Sequence, residues 1–336
     1  MRLAEIPLCV WRMRGQDFSF RGHTIRYWTA GQGEPLLLIH GFPTASWDWN
    51  YLWQPLSRQY RVIACDMLGF GDSAKPRDHH YSLLEQADLQ QALLEHLNIR
   101  EPVHVLAHDY GDSVAQELLA RQAEGLFDMA SCVFLNGGLF PETHRTLRAQ
   151  KLLLGRAGWL LSRLFDRGSL DRDFSRIFGL ETRPSESELD DFWSLIAANR
   201  GHHLLHRLIS YVPERRVQRD RWVKAMQQSR VPMRFINGAA DPISGVHMVE
   251  RYRELIPNPD TVLIPGIGHY PHTEAPAKVL RLYDAFRLPL THFRPVLATP
   301  RALPVSAPVD CAQSSSTLMP FARAISMIAA MSAFWP

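Results

Sequence analysis

Three acid–base side chains follow apolar runs in this chain, and their types and order could carry covalent catalysis. The segment Val103-His104-Val105-Leu106-Ala107-His108-Asp109-Tyr110-Gly111 leads an apolar run into a small-x-Asp-x-Gly turn, after which a helical pattern opens at Val114. Small residues at Ala107 and Gly111 let strand and helix backbones pass closely. The turn therefore holds Asp109 at a strained apex, where the serine of a G-x-S-x-G elbow would stand. Further on, Phe235-Ile236-Asn237-Gly238-Ala239-Ala240-Asp241-Pro242 places Asp241 past another apolar run, and Pro265-Gly266-Ile267-Gly268-His269-Tyr270 places His269 on a glycine-flexed loop. Upstream, Leu36-Leu37-Leu38-Ile39-His40-Gly41-Phe42-Pro43 ends in a loop whose amides would face the elbow. The Phe42 and Tyr110 amides together would form an oxyanion hole. Each piece alone has an ordinary account: Asp109 as a helix N-cap, Asp241 as a turn start before Pro242, His269 as a structural ring. Together, in the order nucleophile, acid, histidine, they point to a catalytic set.

These residues need strands that end where they stand. Residues 35–39, 61–65, 102–106, 131–135, 232–236 and 261–264 are short apolar runs without alternation, and 83–97 and 114–122 between them have helical spacing. The pattern predicts an α/β fold with a mostly parallel, doubly wound sheet. Residues 18–29, alternating about Arg21-Gly22-His23, add an antiparallel hairpin at its edge. The roughly ninety residues between the fourth and fifth runs exceed any ordinary crossover and form an inserted subdomain. Its patches at 147–164 and 186–208 are rich in Leu, Trp and Arg, as suits helices over an apolar cleft. The basic run Arg215, Arg216, Arg219, Arg221 and Lys224 is expected to be a solvated helix face rather than an anion site. The core is thus 17–138 with 228–288, and the helical cap is 139–227. After Leu288, Pro289, Pro295, Pro300, Pro304 and Pro308, then Ser314, Ser315 and Ser316, mark 289–336 as a disordered tail.

Composition narrows the function classes. The 336 residues are 46% hydrophobic and 21% charged, which supports a sizeable core and excludes global disorder. A net charge of +3 is too small to call for nucleic acid or an anionic membrane as the main partner, so any such contact would be local. Cys9, Cys65, Cys132 and Cys311 contain no CxxC pair, so neither a zinc site nor a disulfide framework is expected. Glu5, Pro7, Arg12 and Arg14 interrupt the first apolar stretch, which argues against a signal peptide and for a cytoplasmic location. The apolar stretch 324–335 is shorter than the ~20 residues that span a bilayer, leaving a membrane-surface helix as its alternative to a loose tail. His79, His80, His202 and His203 have no Cys or carboxylate at ligand spacing, so no metal is expected. Trp47, Trp49 and Trp53 have the spacing of helix packing more than of a substrate slot.

With these residues in place, the chain resembles the α/β-hydrolase family over about residues 17–288, and within it the Asp-nucleophile branch of epoxide hydrolases and haloalkane dehalogenases. It is more closely similar to the mesoderm-specific transcript subgroup. That similarity runs through His79-His80-Tyr81-Ser82, His108-Asp109-Tyr110-Gly111-Asp112, Asn136-Gly137-Gly138, Phe140-Pro141-Glu142-Thr143-His144-Arg145 and Thr182-Arg183-Pro184-Ser185-Glu186-Ser187-Glu188-Leu189. The resemblance implies a cofactor-independent hydrolase with a helical cap, taking a small apolar organic substrate and water. Asp109 would be the nucleophile, His269 the base for water and Asp241 the residue that orients His269.

An aspartate suits this chemistry because a carboxylate attacking an sp3 carbon makes an alkyl ester and expels an alkoxide or halide, after which activated water attacks the ester carbonyl. An epoxide needs a proton donor, and Tyr211 is the sole tyrosine between Phe140 and Val231. A halide needs N–H donors such as an indole, from Trp159, Trp193 or Trp222. Tyr211, Trp193 and His40 are the candidate contacts to substrate and leaving group. By the resemblance, Tyr110 stands where the branch commonly has Trp and Phe42 where many dehalogenases have a halide-binding Asn, so an epoxide is favoured. A haloalkane or haloacid dehalogenase with the same triad is the second enzyme reading, and a non-catalytic binding protein on the same fold is the third.

Overall fold

The computed structural model describes residues 3–292. The expectations for the tail, including the 324–335 stretch, lie outside the described residues apart from the last turns of the final helix. The apolar runs become β3 (Pro35–Ile39), β4 (Arg61–Cys65), β5 (Val103–His108), β6 (Met129–Leu135), β7 (Met233–Gly238) and β8 (Thr261–Ile264), preceded by the hairpin β1 (Gln16–Phe20) and β2 (His23–Ala30). They form one eight-stranded sheet in the order β1-β2-β4-β3-β5-β6-β7-β8. β2 runs antiparallel to both β1 and β4, and every pairing from β4 to β8 is parallel. The expected fold is therefore the observed one.

The two-residue period of a strand divides the core into two layers. In β3, Leu37 and Ile39 enter one apolar cluster with Val105 and Ala107, whereas Leu36 and Leu38 enter the other with Leu106 and Ile264. Helices cover both layers: α1 (Leu8–Arg14), α2 (Asn50–Ser57), α3 (Leu83–His96) and α4 (Tyr110–Ala123) before the insertion, with α11 (Val246–Leu255), α12 (Pro271–Glu274) and α13 (Pro276–His292) after it. Helix α4 starts at Tyr110, directly after the elbow and earlier than the sequence pattern showed. Helix α13 runs through Pro289 to His292, past the boundary drawn after Leu288.

The insertion between β6 and β7 is all helical: α5 (Arg148–Leu153), α6 (Gly158–Leu164), α7 (Arg167–Ile177), α8 (Glu186–Ala197), α9 (Leu205–Leu208) and α10 (Tyr211–Gln228). Asp166 caps α7 by accepting the Ser169 amide at 2.8 Å, and Leu170, Phe174 and Ile177 bury its inner face. No described helix is long and apolar enough to cross a membrane.

Candidate active site

β5 and α4 meet at Asp109, whose φ of 47° and ψ of −102° are strained for a residue with a side chain. Its carboxylate makes no cap bond to α4, so the N-cap reading fails. Gly111 is required here, because a Cβ on it would lie 2.4 Å from the Ile39 carbonyl oxygen. That close approach brings the β3 loop to the elbow, and the Phe42 amide donates to Asp109 Oδ2 at 3.2 Å. Tyr110 is the first residue of α4, where helix geometry leaves the amide without an intrahelical acceptor.

The loops after β7 and β8 supply the other two members. His269 Nδ1 lies 2.8 Å from Asp241 Oδ2, and its Nε2 lies 4.0 Å from Asp109 Oδ2. All three side chains are buried. Asp241 is fixed by donors on both oxygens: Oδ1 accepts the Ile243 amide at 2.7 Å, and Oδ2 accepts Asn136 Nδ2 at 2.8 Å and Ser244 Oγ at 2.8 Å. Asn136, at the end of β6, thus holds the acid in place, a role that sequence reading missed. Its left-handed φ of 47° and the Gly137-Gly138 that follows are the signals of a shaped turn.

The larger correction concerns Arg215. Expected on a solvated face, it is 1% exposed and reaches under the elbow. Its Nη2 donates to the Asp109 carbonyl at 2.8 Å and lies 3.4 Å from Asp109 Oδ1, while Nε donates to Ser113 Oγ at 2.7 Å. Elsewhere in that basic run, Arg219 pairs with Glu142 and Arg221 with Glu117 and Glu124.

The electrostatics follow from this crowding. Burial alone would raise the Asp109 carboxyl, but His269 and the Arg215 charge hold it well below the usual carboxylate range. Burial would lower His269, but the Asp241 and Asp109 carboxylates override it and push it up to about 10. The resting site is therefore an imidazolium between two carboxylates at neutral pH.

A cavity of about 60 Å³ opens onto Asp109 and His269. Its walls are mainly apolar, with Phe42 and Ile243 from the core and Leu147, Leu153, Phe165 and Phe174 from the cap; Gln150 and Asp173 add polar atoms. Tyr211 is close by: its buried ring packs 5.6 Å from Phe42 and 5.0 Å from Tyr110, under the Arg215 guanidinium. Its hydroxyl is buried beside Gln150 without a hydrogen bond of ordinary geometry.

Two of the candidate contacts belong elsewhere. His40 is wholly buried, accepting the Met67 amide at Nε2 and donating from Nδ1 to the Gly41 carbonyl; it shapes the loop and does not face the cavity. Trp193 packs on Phe165 and His202, behind the cavity wall. Trp222 spends its indole N–H on Glu117 at 2.9 Å, and Trp159 is 51% exposed on the outside of the cap. Trp47, Trp49 and Trp53 are core packing, Trp47 donating to the Ile6 carbonyl.

Among the described residues, the donor atoms of Asp48, His108 and His272 lie within 4.8 Å of one another beneath the elbow. Burial raises the Asp48 carboxyl and lowers both imidazoles, which disfavours the charged form of each. His79, by contrast, pairs with Glu85 at 2.6 Å.

Residues 34–276 match the alpha/beta hydrolase fold family. The chain is 42% identical over 289 residues to the Mesoderm-specific transcript homolog protein of Bos taurus, an alignment covering 82% of this chain and 86% of that protein. Two solved structures similar in fold are the epoxide hydrolase CorEH and the haloalkane dehalogenase DatA from Agrobacterium tumefaciens. The first has a TM-score of 0.68 at 22% identity, covering 82% of this chain and 99% of that one. The second has a TM-score of 0.71 at 19% identity, covering 82% and 96%.

Proposed function

The chain belongs to the alpha/beta hydrolase fold family, and from that premise we propose that it is a cofactor-independent hydrolase that opens apolar epoxides through an Asp109 ester. One observation carries the reading: the Asp109 carboxylate stands at a strained elbow on the floor of an apolar cavity, with the Phe42 amide on one oxygen and His269, backed by Asp241, 4.0 Å away.

Oδ2, held by the Phe42 amide, is the oxygen the oxyanion hole keeps, which leaves Oδ1 to attack an epoxide carbon. The C–O bond breaks and the oxygen leaves as an alkoxide that takes a proton from Tyr211. Burial and the Asp109 charge push this phenol upward, so it stays protonated until a base as strong as an alkoxide forms. Ester formation removes the Asp109 charge, one of the two that hold His269 protonated. The ring now returns its proton to the Tyr211 phenolate, and the neutral ring takes a proton from the water that attacks the ester carbonyl; collapse of the tetrahedral intermediate expels the diol oxygen, which takes the new carboxyl proton and leaves Asp109 as carboxylate and His269 as imidazolium.

An epoxide is preferred to a halide because the donors fall that way. The Tyr211 ring packs 5.0 Å from Tyr110 at the elbow, behind the residues that line the cavity, whereas Trp159 is exposed, Trp193 packs on His202 and the Trp222 indole donates to Glu117. Intact-protein mass spectrometry of His269→Gln after incubation with panels of epoxides and haloalkanes tests the reading. The expected result is a covalent epoxide adduct on the peptide holding Asp109. A halide-derived adduct alone would reassign the substrate, and no adduct from an epoxide that the unmodified protein hydrolyses would reject the mechanism.

A further inference from the structure

Helix α6 is turned inside out relative to an ordinary surface helix. Gly158 and Ser162 face the protein, while Trp159, Leu160, Arg163 and Leu164 face outward, Leu164 at 66% exposure. Just before it, Leu152 and Leu154 are exposed as well, interleaved with Lys151 and Arg156. An apolar ridge of this kind in a charged setting is not how a water-facing helix is built.

Beside the ridge lies a cavity of about 430 Å³ whose wall includes Trp159 and Arg163 of α6 together with Lys75, Arg77, Arg200 and Arg207; Asp78 is the acid among its lining residues. Asp78 lies 3.6 Å from Arg207, and no ion pair of Arg77 or Arg200 is found among the described residues. The Arg163 guanidinium sits 5.0 Å over the Trp159 ring, so ridge and cavity share one surface. Lys75 turns its ammonium to the Gly71 and Ser73 carbonyls, and the three guanidinium groups of Arg77, Arg163 and Arg200, with no ion pair among the described residues, form a site for an anion.

We propose that this face of the cap docks on an anionic phospholipid surface, with lipid phosphates in the basic cavity and Trp159, Leu160 and Leu164 in the acyl boundary. Apolar residues beside Lys and Arg are the pattern of an interfacial helix. Other occupants fit less well. A second copy would set one basic cavity against another. The 294–336 segment carries Arg294, Arg301 and Arg323 against Asp310 and is itself basic. A free anion would fill the cavity and leave Leu160 and Leu164 uncovered.

The ridge and the catalytic cavity are walled by neighbouring cap segments. Leu147, Ala149, Gln150, Leu153 and Phe165, which wall that cavity, belong to the same helical layer as the ridge. On the proposed reaction, the layer would admit apolar substrates dissolved in the lipid. The docking itself does not rest on the epoxide reading, because it is measured without turnover.

The test is flotation of the full chain with vesicles of phosphatidylcholine alone or mixed equally with phosphatidylglycerol, at low and high salt. Binding is expected with the mixed vesicles at low salt, weakened by salt and by pure phosphatidylcholine. The double variant Leu160→Ser/Leu164→Ser should lower partitioning about tenfold or more while keeping the melting temperature and the hydrolysis of a soluble substrate. Arg77→Glu/Arg200→Glu should remove the preference for the anionic lipid, and a chain ending at Phe293 should still bind. Three results would overturn the proposal: loss of binding on removing 294–336, a dimer in sedimentation that the Leu160→Ser/Leu164→Ser variant dissociates without vesicle binding, or thermal protection by inorganic phosphate with no flotation.

Discussion

Asp109 and His269 face each other as carboxylate and imidazolium, and the two half-reactions ask opposite things of that pair. Alkylation needs the Asp109 charge, which His269 and Arg215 preserve far into acid. Hydrolysis needs a neutral ring, and His269 stands near 10 only while both carboxylates are charged. The sign follows: the rate of ester formation should stay flat as pH falls from about 9 to 5, whereas ester hydrolysis should slow, because His269 in the ester has lost one carboxylate and titrates lower. Single-turnover quench with mass detection should therefore show more ester at pH 5 than at pH 9; the reverse would exclude His269 as the base. Asp109→Ala should reduce turnover by several orders of magnitude with the fold retained, as circular dichroism and rate measurements would show. Arg215→Met leaves Asp109 without its fixed cation, and stability should fall by about 3–5 kcal/mol in denaturant titration, with slower ester formation.

At the scale of elements, the elbow works because β5 and α4 pass beside β3 at a distance only glycine permits. The neighbours of a Gly111 Cβ are the Ile39 and His40 carbonyl oxygens, at 2.4 and 2.7 Å, and neither can swing aside as a side chain would. Gly111→Ala should cost roughly 1–3 kcal/mol by overpacking and should lower activity further by shifting Asp109, as a melting curve and a rate measured together would reveal. The elbow was readable in the sequence because its requirements are local: an apolar run, two small residues and an apex. The triad was readable because each member lies in the loop or turn that leaves the carboxyl end of a strand. Arg215 was not recovered, since its neighbours in the run are surface cations and an arginine's burial depends on its partner. The signal lay in its face: Tyr211, Arg215, Trp222 and Met226 repeat at helical spacing, and all four are buried. Helix α7 was missed because Arg167, Asp171, Arg172 and Asp173 obscure the apolar spacing of Leu170, Phe174 and Ile177. His40 and Trp193 misled for the converse reason, since a polar or aromatic type near a motif does not reveal which way the side chain turns.

For the molecule as a whole, the sheet and cap close with α13, so a chain ending at Phe293 should keep the melting temperature and activity of the full protein to within small shifts. A large loss in differential scanning calorimetry would assign the last residues a structural role. The cap itself is fastened unevenly. Helix α10 is tied to the core by Arg215 on Asp109 and Ser113, by Trp222 and Arg221 on Glu117, and by Glu214 accepting the Leu83 amide at 2.9 Å. Lifting the whole cap would strip the nucleophile of its guanidinium, so passage into the cavity is expected through the cap helices other than α10, with α5 and its neighbour α6 the more exposed of them. The insertion then behaves as a hinged shutter on a fixed post, and amide hydrogen exchange should be faster across 148–164 than across 211–228. On that arrangement the gate can swing at every turnover without the charge at its foot being disturbed.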